Sequence, residues 1–115
     1  MNKKEIIDKY KQTVQPLGVY QIKNIKNGKI YIGSAKDLRG RINRYRFQLE
    51  NGSHSNEGMQ KDYNEIGAEG FSFVVLDNLK PKEDPNYDYT EDLKVLEEIW
   101  LDKLQPYGEK GYNTK

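Results

Sequence analysis

Two short triplets, Gly18-Val19-Tyr20 and Tyr31-Ile32-Gly33, supply a pair of phenols near the start of the chain. Downstream come Arg39, Arg41, Arg44 and Arg46, and far beyond them a single carboxylate, Glu97, stands among Leu93, Leu96, Trp100, Leu101 and Leu104. Phenols give or take protons, guanidinium groups grip phosphate oxygens, and a carboxylate can hold a hard cation. Together they point to the cleavage of a phosphodiester bond.

The two phenols can cooperate only if they share a face. Residues 18 to 24 and 29 to 35 alternate and are rich in Val, Ile and Tyr, with Asn27-Gly28 between them, so they predict a β-hairpin. A two-residue turn at Asn27-Gly28 pairs Asn24 with Tyr31, whereas a four-residue loop from Ile25 to Gly28 pairs Ile22 with Tyr31 and Tyr20 with Gly33. The registers differ by an even step, so both put the tyrosines on one face. The longer loop makes them diagonal neighbours roughly 7 Å apart, and convergence favours it. It also sets Gly33 opposite Tyr20, where a missing side chain leaves room for a ligand to approach the backbone. Aromatic residues are common strand formers and the chain has nine tyrosines, so the pair alone carries little weight.

Glu97 is an independent clue. It lies four residues after Leu93 and four before Leu101, within the apolar stripe of a helix, while Glu98 points elsewhere, near Lys94 and Asp102. A carboxylate on such a face must be paired, protonated or bound to metal. An ion pair with a basic residue of the first helix satisfies it, and so does a hard cation; Mg²⁺ often takes one or two carboxylates and keeps most of its waters.

The elements that must position these groups follow from pattern and caps. Asn2 with Glu5 opens a short helix to about residue 13, an arm over residues 1 to 17 ahead of a domain over 18 to 115. Asp37 caps a helix through Leu38, Ile42, Tyr45 and Leu49 that Asn51-Gly52 ends. A second helix covers 56 to 66 through Met59, Tyr63 and Ile66 and closes at Gly67. Phe71 to Leu76 is a third strand, residues 80 to 89 a polar loop, and Thr90 caps a last helix with Glu91 and Asp92 in its first turn and Pro106 at its end. The fold class is α+β, α/β in the broad sense: a small antiparallel sheet flanked by helices.

Composition sets limits. A chain of 115 residues makes one compact domain. It has no cysteine and a single histidine, which excludes disulfides and thiolate or histidine-cluster zinc sites and leaves oxygen ligands. No apolar run is long enough for a bilayer, and the start is charged, so the chain reads as cytoplasmic and soluble, with no membrane partner and no nucleotide cofactor expected. The formal net charge of +1 conceals a separation. Residues 23 to 46 hold Lys23, Lys26, Lys29, Lys36, Arg39, Arg41, Arg44 and Arg46 against Asp37 alone, while residues 80 to 109 are dominated by Glu and Asp. If the cations share a face they form a polyanion-binding patch; otherwise they are ordinary solvated charges.

Taken together, these residues resemble the GIY-YIG nucleases, and most closely the homing-type domains, through segments such as Tyr20-Gln21-Ile22-Lys23-Asn24 and Gly33-Ser34-Ala35-Lys36-Asp37. Gly18-Val19-Tyr20 stands for the first triplet, Tyr31-Ile32-Gly33 for the second, Arg41 for the family's arginine, Glu97 for its metal-binding glutamate and Asn113 for its terminal asparagine. The resemblance implies a DNA endonuclease with one divalent cation, Mg²⁺ or Mn²⁺, on Glu97. Arg41 then stabilises the charge that builds on the phosphate, Tyr20 is the general base, Tyr31 positions water or phosphate, and Tyr45 stands where homing-type members often have histidine. Lys29, Arg44, His54 and Asn113 are the expected phosphate or DNA contacts, with Asn113 also a brace. As no separate DNA-binding region is seen, nicking with low sequence specificity is expected unless a targeting protein or oligomer supplies it. A nucleic-acid-binding module without useful catalysis and a protein-interaction domain are the other readings; metal-dependent cleavage would exclude the first, and a stable partner without DNA affinity would favour the second.

Overall fold

The computed structural model describes residues 16–115, so the helix predicted near the N-terminus lies outside the described residues. Three antiparallel strands, β1 (Gly18–Asn24), β2 (Ile30–Ala35) and β3 (Phe71–Asn78), form one sheet in the order β2-β1-β3, with helices α1 (Leu38–Glu50), α2 (Glu57–Ile66) and α3 (Thr90–Leu104). This is the expected α+β architecture, with β3 running two residues beyond its predicted end.

The hairpin takes the longer loop. Tyr20 pairs with Gly33 and Ile22 with Tyr31. Asn24 sets this register: its side-chain oxygen accepts from the backbone N–H groups of Lys26 and Asn27 at 3.0 and 3.3 Å, and its carbonyl accepts from Gly28 N–H at 2.8 Å. Gly28 adopts a φ of 81°, which a residue with a Cβ resists. On its other edge β1 pairs with β3, and a bulge sets Tyr20 against Val75 and Val19 against Asp77.

Because β1 is central, both of its faces are covered. Tyr20 and Ile22 join Leu38, Leu49, Met59 and Tyr63 in the main core, so α1 and α2 lie on that face. Val19 and Ile32, on the other face, are equally buried. There Trp100 of α3 donates its indole N–H to Asp77, the residue paired with Val19, at 3.1 Å. Burying side chains of this size contributes about 1.5–3 kcal/mol each, so the sheet is held from both sides.

Helix starts follow local chemistry. Asp37 accepts from Gly40 N–H at 3.1 Å, and Asn56 accepts from Met59 N–H at 3.0 Å, each satisfying an amide left unpaired at a helix N-terminus. Gly67 closes α2 with a φ of 88°. Thr90 is not the cap of α3. It is the first helical residue, with Tyr89 at the cap position and no side-chain cap bond; Asp88 instead receives both the Thr90 N–H at 3.0 Å and its hydroxyl at 2.6 Å, a local turn that engages the threonine upstream of the helix. Gln105, in the left-handed region at φ 47°, ends α3 just before Pro106.

The outer edge of β2 is covered by the C-terminal segment. Tyr112 N–H donates to the Ile30 carbonyl at 2.9 Å, and Gly111 sits where a Cβ would lie 2.4 Å from that same oxygen.

Candidate active site

Tyr20 and Tyr31 converge as their shared face requires, with ring centres 6.3 Å apart. Tyr45, from the first helix, completes a triangle, 5.9 Å edge-on from Tyr20 and 6.3 Å from Tyr31. The sequence expectation that Gly33 leaves room for a ligand is not met. A Cβ there would fall 2.3 Å from the Tyr20 hydroxyl, so the absent side chain makes room for the Tyr20 ring lying across the strand.

Burial raises the Tyr20 hydroxyl far above the ordinary phenol range, and neighbouring Tyr31 and Tyr45 raise it further while Arg41 pulls the other way. Tyr31 is pushed up to about 12 by burial, by Tyr45 and by Glu97, again with Arg41 opposing. Both are neutral phenols near pH 7. For Arg41, burial lowers the guanidinium, but its interactions with Tyr20 and Tyr45 outweigh that effect and hold it above its usual value. Its guanidinium carbon lies 5.7 Å from the centre of the Tyr45 ring. Arg41 is thus the positive charge that the tyrosine cluster shares.

Arg41 also lines a cleft of about 480 Å³ between the end of β2, α1 and α3, and Glu97 lines the opposite wall. Asp37 caps the helix carrying Arg41, and buried Leu93 anchors the helix carrying Glu97, so the two groups meet across a rigid frame. Glu97 is half-buried. Among the described residues no three His, Cys, Asp or Glu side chains gather into a metal cage. One carboxylate in an open cleft suits a hydrated hard cation that keeps most of its waters.

The remaining expected residues divide. Arg44 lines the same cleft. His54 is buried at 6% exposure, stacked edge-on against Tyr45 at 4.4 Å; its Nδ1 accepts from Asn56 N–H at 3.0 Å, which puts the proton of the neutral ring on Nε2. Burial lowers its pKa, favouring that neutral form. Lys29 lies apart from the cleft, with its ammonium 5.7 Å from the Tyr112 ring. Asn113 uses both ends of its amide on one residue, accepting from Ile32 N–H at 2.9 Å and donating to the Ile32 carbonyl at 2.8 Å. It therefore braces the strand between Tyr31 and Gly33.

Sequence reasoning left Lys94 and Lys36 out of the site, yet both line the cleft. Lys94 was expected beside Glu98, but those two make no ion pair; among the described residues the pair within 4 Å is Lys36–Asp88, at 3.8 Å. The spacing of Thr90, Lys94 and Glu97, at helical intervals of four and three, was the available signal.

The chain is 36% identical over 97 residues to Intron-associated endonuclease 1 of Enterobacteria phage T4, a match covering 84% of this chain and 36% of that protein. It is 34% identical over 103 residues to UvrABC system protein C of Methanococcoides burtonii, covering 85% of this chain and 16% of that one. The chain thus spans about a third and about a sixth of the lengths of these relatives. Among solved structures, the catalytic domain of homing endonuclease I-TevI superposes with a TM-score of 0.70 at 31% identity, covering 86% of this chain and 98% of that domain. The GIY-YIG catalytic domain model matches residues 16–113, a span that contains both tyrosine triplets, Arg41, Glu97 and Asn113. By that match, and by the sheet, cleft and tyrosine cluster it encloses, the chain belongs to the GIY-YIG catalytic domain family.

Proposed function

We propose that this chain is a metal-dependent DNA endonuclease that nicks one strand per event with low sequence specificity, its catalytic unit spanning residues 18–115 behind an arm at 1–17. The observation that carries this reading is the facing of Arg41 and Glu97 across one cleft, with Arg41 also tied to the Tyr20, Tyr31 and Tyr45 cluster. Glu97 would hold a single Mg²⁺ or Mn²⁺, which when bound supplies Lewis-acid polarisation of the phosphate.

The chain's own residues supply the rest. Arg41 donates to nonbridging phosphate oxygens as their negative charge grows, where fixed donors help most. Tyr20 takes the proton of the attacking water on its hydroxyl oxygen, a role that needs the phenolate and therefore the Arg41 charge beside it. Tyr31, a neutral phenol, donates a hydrogen bond that orients water or phosphate, and Tyr45 supports it from the first helix. The cations of the cleft suit phosphates, which carry no sequence information, so strong specificity would come from a targeting partner or an oligomer.

The test is nicking of supercoiled plasmid with Mg²⁺, with Mn²⁺ and with chelator. Metal-dependent nicking that falls by roughly 10²–10³-fold in folded Arg41→Ala, and is lost in folded Glu97→Ala, is expected. Equal nicking by wild type and variants would sink the assignment. A second reading, a DNA-binding module without turnover, is favoured by the two phenols held protonated near neutral pH; binding without nicking under every metal condition would select it.

A further inference from the structure

Thr90, Lys94 and Glu97 form one stripe of α3, and all three line the cleft. Lys94 has carboxylates at helical spacing on the same helix, Glu91, Glu97 and Glu98, and forms an ion pair with none of them; the described ion pair in this region joins Lys36 to Asp88 instead. Asp37, the other acid at the cleft, accepts from Gly40 N–H as a helix cap. The cleft therefore holds Arg41 and Arg44 on the α1 wall and Lys94 on the α3 wall, with no salt bridge neutralising any of the three among the described residues. An open cleft with cations on both walls matches a polyanion lying between them, since each wall then meets phosphate oxygens.

On this basis we infer that Lys94 is a substrate-binding residue, gripping a phosphodiester neighbouring the one at Arg41 and Glu97 from the wall opposite Arg44. The inference rests on the nuclease reading above and adds to it the path of the substrate backbone, which runs across the cleft from α1 to α3 and does not follow α1 alone. It also gives Lys94 a role distinct from chemistry: the ammonium is a point charge that anchors a phosphate without orienting it.

The experiment is a salt titration of binding. A fluorescein-labelled 20-base-pair duplex is titrated with the full chain in chelator, where cleavage is suppressed, over a series of KCl concentrations. Removing one cation that neutralises a phosphate should reduce the slope of log K against log salt by about 0.9. Lys94→Gln is expected to weaken binding several-fold at low salt and to flatten the slope by about that amount, with Lys94→Arg restoring both. Lys103→Gln, which lies over Trp100 and away from the cleft, should match wild type. If wild type binds steeply and Lys94→Gln has the same slope and affinity, the inference is overturned while the nuclease reading stands. If wild type neither binds this duplex nor nicks plasmid, the nuclease reading fails and takes the inference with it. Lys94 is exposed, so both variants should fold, and circular dichroism checks that they do.

Discussion

In the proposed reaction Tyr20 is the residue on which the chemistry turns, because its position and its proton affinity pull in opposite directions. Its ring is clamped across Gly33 and closed in by Tyr31 and Tyr45, which fixes its location and makes its hydroxyl a weak acid. A phenol that must ionise to act as base, with its pKa raised, gains active form about tenfold per pH unit throughout the range below that pKa. The nicking rate is therefore expected to climb from pH 7 to 9 without reaching a plateau. Tyr20→Phe should lower the rate and abolish the climb; a wild-type profile that is flat over this range would remove Tyr20 from the role of base. His54 differs in kind. With Nδ1 engaged by Asn56 N–H and the ring pressed on Tyr45, it serves as a neutral wedge behind the cluster and has no open path to substrate.

At the scale of elements, β2 is the strand that aims Tyr31, and one of its edges is paired to β1 while the other is held by the C-terminal segment. Asn113 works there as a one-residue substitute for a neighbouring strand, satisfying both backbone groups of Ile32. Asn113→Ala should cost about 1–3 kcal/mol, because two partly buried backbone groups lose their partners together. Urea denaturation measures that cost. Activity should fall through kcat more than KM, since Tyr31 shifts while the cations proposed to hold DNA stay in place; a loss confined to KM would mean that Asn113 touches substrate directly. The helices are positioned with the same economy. Asp37 and Asn56 cap α1 and α2, and Asp88 holds the Thr90 N–H where α3 begins.

For the molecule as a whole, a formal net charge of +1 is the sum of two unlike halves. The cleft presents Arg41, Arg44 and Lys94, whereas the loop leading into α3 carries Glu83, Asp84 and Asp88. Such a charge pattern attracts an approaching polyanion to the cleft cations while the acids of the loop repel it. Replacing Glu83 and Asp84 by Gln and Asn is expected to strengthen DNA association a few-fold at low ionic strength. The gain should vanish towards 1 M salt, where screening acts within about 3 Å. An effect that persisted at high salt would point to a direct contact and not to a field. No helix among the described residues is long and apolar enough to cross a membrane.

What could be read directly from the chain was whatever depends on short-range pattern. Alternation and the Asn27-Gly28 turn predicted the hairpin and, through an even step in register, the shared face of Tyr20 and Tyr31. Asp37 capped its helix as expected, and the resemblance carried by five separated positions pointed to the family that the profile match bears out. Tertiary structure decided everything that depends on which surfaces meet. It filled the space over Gly33 with a ring, tied Thr90 back to Asp88 and left Tyr89 at the cap of α3, turned Asn113 inward to Ile32, separated Lys29 from the cleft and brought Lys94 into it. Local propensity and periodicity are properties of neighbouring residues, but a cleft belongs to elements that are distant in the chain, and no spacing rule says which side of a lysine will face the empty space between them.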